Sequence, residues 1–126
     1  MNYKTTLEIV RGLGSASHVS QHWLAQRITA IALLPLTLWL SVAVVLLPTA
    51  DYEAVTSWIA SPGNAFLLAG FLIASVYHAM LGLQVVIEDY IHAERIKAAG
   101  IMACKLLLSF LGLAGLIAII RIMFVG

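Results

Sequence analysis

The sequence predicts an all-α membrane protein of three transmembrane helices, on three observations. Of its 126 residues, 62% are hydrophobic and 10% charged, against about 45–50% and about 25% in soluble domains. The apolar residues gather into three runs, at about 28–47, 65–87 and 101–125. Each run supplies the ~20 residues that a hydrocarbon core of about 30 Å demands. No water reaches the backbone inside a bilayer, so such runs fold as helices. The chain 1–126 reads as one membrane domain, too short to add a soluble enzyme domain.

The elements follow in order. Segment 1–27 carries Lys4, Arg11 and Arg27, and its stretch Gly12-Leu13-Gly14-Ser15-Ala16-Ser17 predicts irregular chain along the membrane surface. It has no apolar core followed by a small-residue cleavage site. It also lacks the Arg-rich, acid-poor character of a transit peptide, since it holds Glu8. The expected location is therefore a bacterial inner membrane. Pro35 lies inside the first run and predicts a kink there. The connection 48–64 has Asp51 and Glu53 but no Lys or Arg, and ends in Ser61-Pro62-Gly63-Asn64, a turn and helix cap. The connection 88–100 holds Arg95 and Lys97, with Lys105 close behind.

The positive-inside rule then places the N terminus and the second connection in the cytoplasm and the C terminus in the periplasm. Arg121 snorkels to the outer interface. Tyr52 and Trp58 read as outer interfacial anchors and Trp23 as an inner one. A net charge of +1 is too small to suggest nucleic acid. The single Cys104 excludes a disulfide or a thiolate cluster within the chain.

His78 is the only histidine in any apolar run. Ionisable groups at that depth cost roughly 2.5–3.5 kcal/mol when charged, so they usually mark function. Three readings stand: a histidine bonded to a neighbouring helix, a haem ligand through its nitrogen lone pair, or part of a proton relay. Asp89 and Tyr90 follow where the run ends. On an ideal helix Asp89 is rotated only about 20° from His78 and lies about 16 Å along the axis. Both also fit an ordinary helix end, and Arg27 also fits a topology signal. Ser75 and Gly82, one turn either side of His78, would let a planar group or another helix come close. His18, His22 and His92 read as interfacial or aqueous. A six-coordinate haem b needs two axial ligands and this chain offers one at that depth. If His78 binds haem, the second ligand must come from another chain or a second copy, so the chain is expected to work inside an oligomeric helix bundle.

Two segments together resemble one family. The first is Gly12-Leu13-Gly14-Ser15-Ala16 with His22-Trp23-Leu24-Ala25-Gln26-Arg27-Ile28-Thr29-Ala30 and the later Pro35-Leu36. The second is His78-Ala79-Met80-Leu81-Gly82-Leu83-Gln84-Val85-Val86-Ile87-Glu88-Asp89-Tyr90. They resemble the smaller hydrophobic membrane anchor subunit of succinate dehydrogenase, respiratory complex II, in its alphaproteobacterial branch. The resemblance implies a complex with a flavoprotein subunit, an iron–sulfur subunit and a second membrane anchor of the cytochrome b556 type. It implies one haem b between the two anchors and ubiquinone as electron acceptor. By the same resemblance His78 is an axial ligand of haem b, and Arg27 lies by the haem propionates and the quinone pocket. Tyr90 hydrogen-bonds a quinone carbonyl, with Asp89 beside it as charge or proton partner. The alternatives are a purely structural anchor or assembly subunit, and a small proton-coupled transporter subunit using His78 and Asp89.

Overall fold

The structure, a computed structural model, describes residues 3–47 and 51–125, with side chains from residue 21 onward. Four helices follow one another: α1 (Tyr3–Leu46), α2 (Tyr52–Ala60), α3 (Pro62–Tyr90) and α4 (Glu94–Phe124). Three are long and apolar enough to cross a membrane, namely the part Gln21–Leu46 of α1, then α3 and α4. All three expected spans are present, and each helix overruns its apolar run.

The overruns have local causes. The stretch 12–17, expected as irregular chain, lies inside α1. Glycine costs a helix only about 1 kcal/mol relative to alanine, and no proline interrupts the segment before Pro35. The side chains of Lys4, Arg11 and His18 lie outside those described. Pro35 forfeits its own helical N–H bond, yet α1 continues through it to Leu46. The connection expected over 88–100 contracts to residues 91–93. Here α3 runs through the polar turn Glu88-Asp89-Tyr90 and closes with Ile91 N–H donating to the Ile87 carbonyl at 2.9 Å. α4 restarts at Glu94, whose charge suits a helix N terminus.

The connection 48–64 holds a helix that sequence reading did not expect. Asp51 caps α2 by accepting from Ala54 N–H through Oδ1 at 2.9 Å, and Glu53 sits in the first turn. Pro62 starts α3, a position where its missing N–H costs nothing. Ser61 occupies the N-cap position but makes no side-chain cap bond. Instead Asn64 reaches back, donating through Nδ2 to the Trp58 carbonyl at 3.0 Å, which ties the start of α3 to the end of α2.

α3 is the central helix. Both α1 and α4 pack on it, and no close backbone approach joins α1 to α4 among the described residues. Both pairings are antiparallel, since Thr29 meets His78 on one side while Gly112 meets Val76 and Gly115 meets Leu72 on the other. On the α4 side the glycines bring the backbones close: a Cβ on Gly112 would lie 3.3 Å from Val76 Cγ2, and one on Gly115 2.6 Å from Leu72 Cδ2. Trp58 of α2 stacks on Trp39 of α1 with ring centroids 5.5 Å apart and planes 21° apart. Trp58, expected as an outer interfacial anchor, is half-buried in this contact between α1 and α2. Only Ala65, Leu81 and Gly112 are buried among the described residues. Most of the apolar surface of α1 and α4 faces outward, as lipid or other helices would require.

Candidate functional site

The site forms where the first turns of the apolar part of α1 meet the middle of α3. Both helices are continuous here, so side-chain register follows the 3.6-residue repeat. α1 brings Trp23, Gln26, Arg27 and Ala30 to an open groove of about 370 Å³, and α3 brings His78. Arg27 and His78, 51 positions apart in sequence, therefore line one surface. The Arg27 guanidinium lies over the Trp23 ring, 5.1 Å from its centroid. That stacking holds an exposed permanent charge beside an apolar run.

His78 is half-buried. Its Nδ1 lies 2.9 Å from Thr29 Oγ1 across the α1–α3 interface. The reading of His78 as a histidine bonded to a neighbouring helix therefore holds for one ring nitrogen. The other, Nε2, makes no hydrogen bond among the described residues. Thr29 is the residue that sequence reading missed. It sits two positions after Arg27 in an apolar run, and nothing local marks it as facing His78.

Gly82, one turn from His78, meets open space: a Cβ built there finds no atom within 4 Å. No described residue occupies the approach that its small size permits. Ser75, one turn the other way, spends its hydroxyl on the Phe71 carbonyl. The surface beside His78 is thus open on the Gly82 side and polar at Arg27.

Asp89 and Tyr90 lie in the last turn of α3, as helical extension from His78 requires. Both are exposed, Tyr90 at 80%, and neither has a hydrogen bond or ion pair among the described residues. The structure does not bring them into the groove of Arg27 and His78. A second groove of about 430 Å³ lies nearer this end, lined by His22, Trp23 and Gln26 of α1 and by Leu81, Gln84, Val85 and Glu88 of α3. In it Gln84 Nε2 donates to Glu88 Oε1 at 3.0 Å. On the helix face between His78 and Asp89 stand Leu81, Gly82 and Val85, none of which passes protons. The ~16 Å between His78 and Asp89 far exceeds hydrogen-bond reach, so no direct hydrogen-bonded relay joins them among the described residues.

Comparison with known proteins agrees with this architecture. Residues 1–112 match the family model for the succinate dehydrogenase/fumarate reductase transmembrane subunit. The succinate dehydrogenase hydrophobic membrane anchor subunit of Rickettsia bellii is 43% identical over 108 residues, covering 84% of this chain and 86% of that protein. The corresponding subunit of Paracoccus denitrificans is 31% identical over 99 residues, covering 79% and 77%. The succinate dehydrogenase membrane anchor subunit of Reclinomonas americana is 29% identical over 92 residues, covering 70% and 76%. No solved structure gives a significant match. Three apolar helices and these relatives make this a multi-pass protein of the bacterial inner membrane. The chain belongs to the family of succinate dehydrogenase/fumarate reductase transmembrane subunits, on its hydrophobic membrane anchor branch.

Proposed function

We propose that this membrane anchor subunit of succinate dehydrogenase, with a second anchor of the cytochrome b556 type, binds haem b and builds the ubiquinone-reducing site. The flavoprotein and iron–sulfur subunits would dock on the cytoplasmic face, where the N-terminal segment and the Tyr90 end of α3 lie in this reading. The observation that carries the proposal is the shared groove: a half-buried imidazole with one unengaged nitrogen beside an exposed guanidinium.

The residues present fit the group. His78 offers a nitrogen lone pair, as haem iron requires. Arg27 offers a permanent charge and a planar donor fork for a propionate. The open space at Gly82 leaves room beside the ligand. The second axial ligand and the other wall of the pocket come from the partner anchor. When bound, the haem supplies a one-electron store at mid-membrane.

Tyr90 and Asp89 serve the quinone. The exposed Tyr90 hydroxyl, unused among the described residues, is available to donate to a quinone carbonyl and stabilise the charge that develops on it. Asp89 places a carboxylate beside that hydroxyl at the aqueous edge, where protons for the reduced quinone are available. Tyr90→Phe should slow ubiquinone reduction by the intact complex by about 10²-fold, the usual cost of losing such a donor. Succinate oxidation with a soluble artificial acceptor should stay close to wild type. Equal losses in both activities would make Tyr90 structural and remove it from the quinone site.

A further inference from the structure

We infer that Thr29 is a positioning residue for His78: its hydroxyl fixes the imidazole tautomer that leaves Nε2 as the lone-pair nitrogen. The inference rests on the proposed role of His78 as a haem ligand, and it extends that role to a residue on a different helix.

The argument is a proton count. Thr29 Oγ1 has one hydrogen and three neighbours: the Ala25 carbonyl at 2.9 Å, the Gln26 carbonyl at 3.0 Å and His78 Nδ1 at 2.9 Å. Carbonyl oxygens only accept. Were the hydroxyl proton given to Nδ1, Oγ1 would face two carbonyl oxygens at contact distance with no hydrogen between them. The arrangement with a hydrogen in every contact has the hydroxyl shared between the two carbonyls, as threonine in a helix commonly does. Oγ1 then accepts from Nδ1–H. A neutral imidazole protonated at Nδ1 carries its lone pair on Nε2, the nitrogen without a partner among the described residues.

Position adds to this. Thr29 follows Arg27 by two residues on α1, so one helix supplies both the guanidinium of the groove and the acceptor that holds the ring. Donation of Nδ1–H to a fixed acceptor orients a metal-ligating histidine and raises its basicity. The backbone carbonyls that polarise the Thr29 hydroxyl make Oγ1 a better acceptor.

The test uses the intact purified complex. Thr29→Val and Thr29→Ala both delete the hydroxyl and differ in bulk, while Thr29→Ser keeps it. Haem release to added apomyoglobin and the low-spin electron paramagnetic resonance g-values are read for each assembled complex. Thr29→Val and Thr29→Ala should release haem about 10–100-fold faster, the usual effect of losing such a partner, with shifted g-values. Thr29→Ser should match wild type. Wild-type release and g-values in Thr29→Val and Thr29→Ala overturn the inference. So does an effect that tracks bulk, with Thr29→Ser and Thr29→Ala altered and Thr29→Val normal. His78→Leu separates the two levels: if it lacks haem while the Thr29 variants are normal, only the positioning role falls. If it keeps wild-type haem, the ligand role falls too.

Discussion

The two sides of α3 are built on opposite plans. Toward α4 large residues of α3 fill small ones of its neighbour: Val76 packs on Gly112 and Leu72 on Gly115 of α4. Toward α1 and beyond, Gly82 beside His78 is left open, since no described residue comes within 4 Å of a Cβ built there. In a bilayer helices associate through van der Waals packing, not through the hydrophobic effect. If α3 also receives a group from outside, as proposed, the two tasks are separated by face. The packed glycines of α4 hold it against α3, and Gly82, open like Gly63 and Gly70, lies one turn from His78.

Substitutions at these glycines test that contrast. Gly112→Leu should have the larger effect on stability. Even a Cβ would sit 3.3 Å from the stiff, β-branched Val76. Overpacking of this kind costs about 1–3 kcal/mol, read as a lower thermal midpoint and yield of complex, with normal haem per assembled complex. Gly82→Leu should behave in the reverse way. This chain has room for the new side chain, so its own packing should be unaffected, while haem per complex falls several-fold. Equal effects of both changes on assembly, with haem untouched, would show that Gly82 is filled by ordinary helix packing from a partner.

What the sequence made legible divides along the same line. The three spans could be read because apolar length is a property of consecutive residues. Arg27 and His78 could be singled out because charged or titratable groups stand out in an apolar run. Helix ends were harder. The polar turn Glu88-Asp89-Tyr90 and the charged start of α4 at Glu94 read as connection, yet backbone hydrogen bonding carries helix through both. α2 was missed because its one signal, the cap residue Asp51, also served as a topology charge. Thr29 was beyond reach for a different reason. Its meaning lies in a contact 49 residues away, and the register of α1 against α3 is set by packing along the whole interface.

The central claim is that His78 holds haem b for the complex. The direct measurement is the reduced-minus-oxidised absorption spectrum of the purified, assembled complex carrying His78→Leu, beside wild type. The account predicts a bis-histidine haem b spectrum in wild type, lost or converted to a different ligation state in the variant, with every subunit still present. An unchanged haem b spectrum in His78→Leu would contradict it.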